Sequence, residues 1–205
     1  KCTNFPGQCV EVSYNGSTSV FNVSSFTTYV AEEFVISCPE TLVESANMTQ
    51  NVSAAGSCIK FGADNIELDC KGFTINYSQS EAGIGINMSG RRNVTARNCV
   101  LVQTNSSVTG GAYAFLLAGS NGSSIVNVSV TTSAANAISI LASDATHVTI
   151  ENSSFYNNDS RVFEITNFNH SRIFNNDIAG ITNAAFFVTG GTNYSFLNNS
   201  INVST

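Results

Sequence analysis

The feature that most constrains this chain is a periodicity in its second half, and internal repeats decide an architecture before any other signal does. Six segments align on a shared apolar residue: IELDCKGF (66–73), VTARNCVL (94–101), SSIVNVSV (123–130), VTIENSSF (148–155), SRIFNNDI (171–178) and YSFLNNSI (194–201). Their third residues are Leu68, Ala96, Ile125, Ile150, Ile173 and Phe196, and their last are Phe73, Leu101, Val130, Phe155, Ile178 and Ile201. Between these runs a polar column, headed by Asp69 and continued by Asn98, Asn127, Asn152, Asn175 and Asn198. The steps between its asparagines are 29, 25, 23 and 23 residues. A second column places apolar pairs at Ile84/Ile86, Phe115/Leu117, Ile138/Ile140, Phe163/Ile165 and Phe186/Val188, in steps of 31, 23, 25 and 23.

Each apolar pair is spaced i, i+2, the period of a strand. Gly, Ser, Asn and Thr, the turn formers, surround the pairs. A repeat near 23 residues with two or three short strands fits one coil of a parallel β-helix, and the regular Leu pattern of leucine-rich repeats is absent. The expected fold is therefore all-β: a right-handed parallel β-helix of about six coils over residues 58–205, behind a strand-rich lead-in or cap over 1–57. Six coils of roughly 4.8 Å each give a core on the order of 25–30 Å long. The asparagine column reads as the corner between strands, because a sharp bend needs a residue that tolerates left-handed backbone angles. Stacked amides donate to one coil and accept from the next, so Asn98, Asn127, Asn152, Asn175 and Asn198 are expected to form a buried ladder.

This pattern resembles the pectin-lyase-like parallel β-helix proteins, especially short surface-exposed repeat proteins of archaea and some bacteria. The resemblance covers about residues 58–203, and CIKFGADNIELDCKGFTI (58–75) is similar to the opening coil of such proteins. It implies a fold and leaves function to be argued from sites.

Composition points outside the cell. The chain holds 26 Asn and 47 Ser plus Thr in 205 residues. Chance would give roughly six N-x-[ST] glycosylation sequons, whereas sixteen are present. Glycans are expected at Asn15, Asn22, Asn47, Asn51, Asn76, Asn87, Asn93, Asn105, Asn121, Asn158, Asn169, Asn193 and Asn202. The sequons at Asn127, Asn152 and Asn198 are expected to stay bare, because the ladder reading buries them. Sugars also account for solubility with only 11% charged residues. A net charge of −6 argues against nucleic acid. No apolar run approaches the roughly 18 residues of a membrane span, so no membrane insertion is expected. The chain begins KCTNFPGQC, without Met, and reads as a mature, processed form.

Six Cys, at 2, 9, 38, 58, 70 and 99, suit an oxidising, extracellular setting. No C-x-x-C spacing exists, and His147 and His170 lie far from every Cys, so no metal site is expected. Six Cys allow about fifteen connectivities. Cys70 and Cys99 occupy nearly the same place in consecutive coils, within bridging reach. Cys2 and Cys9 close a small loop, which leaves Cys38 with Cys58. In the lead-in, residues 9–23 alternate as a hairpin with Asn15-Gly16 as its turn. SCPETLVESA (37–46) reads as the start of a short helix, with Ser37 as N-cap and Glu40 closing a capping box. The lead-in is either a cap over the first coil or an irregular approach to it.

Polysaccharide cleavage needs clustered carboxylates or a Ca²⁺ site beside a basic residue. Asp64, Asp69, Asp144, Asp159 and Asp177 are scattered, and the adjacent Asp pairing and His-Gly signature of polygalacturonase-like enzymes are missing. Asp64, Glu67 and Asp69 come nearest to a cluster, and Arg91, Arg92 and Arg97 form the basic one. Each also reads as a solvated edge or turn. The last core column lies four residues before Thr205 and nothing follows to cover it, which suggests head-to-tail contact between copies. The expected function is a non-enzymatic, N-glycosylated extracellular or cell-surface structural protein that assembles with itself and carries no cofactor beyond its glycans. The alternative is a carbohydrate-active or carbohydrate-binding β-helix, which would keep one groove free of sequons.

Overall fold

Strands of two to six residues cannot bury a face alone, so each needs its equivalent in the next coil stacked upon it. The computed structural model of the protein describes residues 9–14, 19–23, 35–108, 110–134, 136–180 and 186–203, and it adopts this solution. Three parallel sheets of seven strands each form a β-solenoid of seven coils, one more than the repeat alone indicates. Sheet I contains Glu40–Leu42, Ile59–Phe61, Ile84–Asn87, Tyr113–Leu116, Ile138–Ser143, Phe163–Thr166 and Phe186–Thr189. Sheet II contains Ala46–Asn47, Glu67–Asp69, Thr95–Arg97, Ser124–Val126, Thr149–Glu151, Arg172–Phe174 and Ser195–Leu197. Sheet III contains Val52–Ser53, Thr74–Asn76, Val100–Gln103, Ser129–Thr132, Ser154–Asn157, Asp177–Gly180 and Ser200–Val203.

The register stacks like on like. Leu68, Ala96, Ile125, Ile150, Ile173 and Phe196 form one inner column. Val52, Ile75, Leu101, Val130, Phe155, Ile178 and Ile201 form another. Phe155 meets Phe163 edge-on at 5.0 Å across the interior, and Phe163 stacks on Phe186 at 4.9 Å. Most of these side chains are fully buried, at about 25 cal/mol per Å² of apolar surface removed from water.

Four details differ from what the sequence repeat predicts. Ile75, not Phe73, pairs with Leu101, because the turn after Asp69 is two residues longer than the turn after Arg97. In sheet I, Ile86 pairs with Phe115 and Ile140 with Phe163, a slip of two residues. A slip of two keeps every side chain on its face, so alternation does not detect it. The expected helix after Ser37 is instead the first strand of sheet I, Glu40–Leu42, with Leu42 buried against the register partner Phe61. Pro39 disfavours helical angles for the residue before it. The solenoid unit accordingly spans Val35–Thr205, and residues 35–57 belong to it rather than to a lead-in.

Lys1–Phe34 form a separate unit. In it, Cys9–Tyr14 and Ser19–Val23 pair antiparallel as the expected hairpin, with four residues between Tyr14 and Ser19. Asn15-Gly16 and the expected Cys2–Cys9 bridge lie outside the residues whose contacts are described. The other two bridges form as expected: Cys38–Cys58, with Cα atoms 4.5 Å apart, and Cys70–Cys99, at 4.7 Å. The second ties coils two and three together, and the first ties the approach to coil one onto coil two.

Coil-to-coil packing leaves no room at Gly83, where an added Cβ would overlap the backbone of Gly56 and Ser57. Gly83→Ala is expected to destabilise the solenoid by about 1–3 kcal/mol or more, read from the shift of its denaturation midpoint.

Candidate functional site: the asparagine corner and the sequon surface

A coil of three short strands must turn sharply, and the residues at its corners are those that tolerate left-handed angles. Asn98, Asn127, Asn152, Asn175 and Asn198 turn the chain from sheet II to sheet III, with φ between 52° and 55°. At the entrance to sheet II the same conformation is held by Asn65, Asn93, Gly122, His147, His170 and Asn193. Leaving sheet I it is held by Gly90, Gly119, Asp144, Asn167 and Gly190. Only the first column was recognised in the sequence as a corner of this kind. The other two mix Gly, Asp, His and Asn, so their shared backbone demand is hidden behind unlike side chains.

The asparagine column is a ladder, but it is not buried. Asn127 Nδ2 donates to Asn98 Oδ1 at 2.7 Å, Asn98 Nδ2 donates to Asp69 Oδ1 at 2.9 Å, and Asn175 Nδ2 donates to Asn152 Oδ1 at 3.4 Å. Asn127, Asn152, Asn175 and Asn198 are exposed and Asn98 is half-buried, which corrects the expectation of an internal ladder. The residue that points inward is the next one: Cys99, Val128, Ser153, Asn176 and Asn199. Asn176 is 2% exposed; its Oδ1 accepts from the Ser153 amide at 3.0 Å and its Nδ2 donates to the Ile150 carbonyl at 3.1 Å. Asn199 repeats this one coil on, accepting from the Asn176 amide at 3.0 Å and donating to the Ile173 carbonyl at 2.9 Å. In the corner doublets Asn175-Asn176 and Asn198-Asn199 the first residue bends the chain and the second satisfies buried backbone. Burial therefore does not shield Asn127, Asn152 or Asn198 from glycosylation.

Every described sequon asparagine reaches solvent, as do six of the eight described asparagines outside sequons. Of the sixteen sequons, Asn15 and Asn22 fall where side chains are not described, leaving fourteen. Asn47, Asn51, Asn93, Asn121, Asn127, Asn152, Asn158, Asn193, Asn198 and Asn202 are exposed, and Asn76, Asn87, Asn105 and Asn169 are half-buried. Among the described residues the buried asparagines are Asn157 and Asn176, and neither begins a sequon. The sequons gather at both sides of sheet II and on sheet III. The outward column of sheet I runs Lys60, Asn87, Leu116, Leu141, Glu164, Phe187, and only Asn87 in it is a sequon. Arg161 lies over the Phe187 ring at 4.3 Å and pairs with Glu164 at 2.7 Å.

The charged residues singled out in the sequence mostly pair with each other. Asp69, with its side chain 1% exposed, pairs with Lys71 at 2.7 Å and Arg97 at 2.9 Å. Burial alone would raise its carboxyl pKa, but hydrogen bonds from Lys71 and Asn98 and the charge of Arg97 outweigh it and hold the group below its ordinary range. Arg97 also binds Glu67 at 2.8 Å, so Glu67 and Asp69 share one face, as strand alternation suggests. Asp64 accepts from the Arg92 amide at 3.0 Å and lies 3.8 Å from Arg91. These contacts cross-link coils two and three. Asp144 accepts from Asn167 at 2.9 Å, in the corner leaving sheet I. His147 and His170 stack at 5.1 Å in the corner entering sheet II, and His170 Nε2 lies 3.2 Å from Asn193 Nδ2. Among the described residues no three His, Cys, Asp or Glu side chains converge as metal ligands. An open groove of about 800 Å³ follows the corner between sheets II and III, from Lys71 to Asp177.

Comparison of the chain with family models, with curated proteins and with solved structures returns no match. The parallel β-solenoid stands on the geometry of the coils themselves.

The inward and outward roles within a doublet separate by mutation. Asn176→Ala is expected to cost about 1–3 kcal/mol, because buried donors and acceptors lose their partners. Asn175→Gly keeps the left-handed corner and is expected to stay within about 0.5 kcal/mol of the parent. Equilibrium denaturation of both variants checks the difference.

Proposed function

We propose that this chain is a non-enzymatic, heavily N-glycosylated structural protein of an extracellular or cell surface, of the pectin-lyase-like β-helix type, in which coils of neighbouring copies stack head to tail. The observation that carries this reading is the reach of the sequons: all fourteen described ones are exposed or half-buried, and none is among the buried asparagines. Oligosaccharide needs an acceptor amide that solvent reaches. The two disulfides fit an oxidising compartment. The parallel ladder supports end-to-end growth, since a coil in the common register offers its neighbour the same backbone groups on three sides.

One observation favours a second reading. The outer face of sheet I from Leu116 to Phe187 carries no sequon, and a bare face is what a carbohydrate-binding or carbohydrate-active β-helix would keep. Glu164 on that face is ion-paired with Arg161. A bare face equally serves contact between protein chains.

The test is glycopeptide mapping and electron microscopy of protein from a glycosylating secretory source. Sugars at most of the exposed sequons and linear or layered assemblies are expected. An unglycosylated monomer that binds or cleaves polysaccharide would overturn the structural reading in favour of the second.

A further inference from the structure

The groove between sheets II and III contains two sequons, Asn127 and Asn152, within its lining. Its volume, about 800 Å³, falls in the range of roughly 300–1,000 Å³ that holds a small ligand. The other lining groups of consequence are Lys71, Ser129, Ser154 and Asp177, all exposed and all able to bond hydroxyl groups. Ser129, Ser154 and Asp177 stand one above another in register on consecutive coils. The two asparagines differ in what their amides do. Asn127 Nδ2 is engaged with Asn98 at 2.7 Å. Asn152, a lining residue, accepts from Asn175 through Oδ1, and among the described residues its Nδ2 donates no hydrogen bond.

We infer that this groove seats the protein-proximal sugars of an N-linked glycan on Asn152, which lie along the solenoid instead of projecting from it. The inference rests on the glycosylation proposed above. The bond forms as Asn152 Nδ2 displaces a lipid-linked phosphate from the anomeric carbon of an activated glycosyl donor and releases one of its two protons. Asn152 Oδ1 stays free to accept from Asn175, so the corner and its ladder survive the modification. Sugar hydroxyls then meet the hydroxyls of Ser129 and Ser154 and the charges of Asp177 and Lys71. At Asn127 the Nδ2 is already held by Asn98, whereas that of Asn152 is not, and this singles out Asn152 as the seat.

Ser154→Ala removes the Asn152 sequon and keeps the asparagine, while Thr49→Ala removes the Asn47 sequon outside the groove and serves as the control. In glycosylated protein, Ser154→Ala is expected to lower Tm by about 2–4 °C, the effect of about one net hydrogen bond in a chain of this size, and Thr49→Ala to leave it unchanged. In protein from an oxidising host that does not glycosylate, the two variants are expected to match the parent. Asp177→Ala, which touches no sequon, should reproduce part of the loss in the glycosylated form alone. A glycan mapped at Asn152 whose removal shifts Tm no more than removal at Asn47 overturns the seating, as does glycan elsewhere with none at Asn152. Absence of sugar from every sequon instead defeats the glycosylation reading itself.

Discussion

The structure depends on one constraint: each coil's backbone must hydrogen-bond to the coil before and after it on three sides. A strand of three residues is worth little alone, and its burial comes from its copies along the axis. Each coil must turn sharply between its sheets, and the turns from sheet I to II and from II to III use left-handed backbone. Among the described residues fifteen non-glycine positions adopt positive φ, and most are Asn, because Asn tolerates that region and bonds its neighbours with the same side chain. Ten asparagines among the described residues serve these bends.

Fold and the proposed glycosylation then draw on one residue type for two purposes. At the corner between sheets II and III the bending asparagine points out and the following residue points in. Asn175-Asn176 and Asn198-Asn199 place both roles side by side. The surface this leaves is uneven: sequons crowd the two sides of sheet II and reach sheet III, while most of the outer face of sheet I is bare. A coat of sugar on such a rod would cover some sides and expose another.

Much of the fold was legible in the sequence because the signal repeats. Ile125, Ile150 and Ile173 recur at the coil length and share an environment, so the parallel solenoid, the asparagine corner and the bridge between Cys70 and Cys99 could all be read. What was not legible has physical reasons. Coil one is built from Glu40–Leu42, Ala46–Asn47 and Val52–Ser53, strands too short to show a period. The slip in sheet I is silent because alternation has a period of two. The candidate site was read half correctly. The corner role of Asn198 follows from its spacing, but which member of a doublet faces inward depends on a one-residue phase that composition does not carry. The charged residues were legible as a group, yet their pairing across coils, Arg97 with Glu67 and Asp69, appears only once the register is known.

That register is the central claim, since it decides which asparagines meet water. Engineered disulfides test it most directly. Thr149 and Arg172 are partners on adjacent coils of sheet II, whereas Ser195 lies one coil further on. Neighbouring strands are about 4.8 Å apart and alternate ones about twice that, and only the shorter spacing is within reach of a disulfide, whose Cα limit is roughly 7 Å. Thr149→Cys with Arg172→Cys should bridge on oxidation without loss of stability, and Thr149→Cys with Ser195→Cys should not. Bridging in the second pair and not the first would contradict the stack of coils on which the account stands.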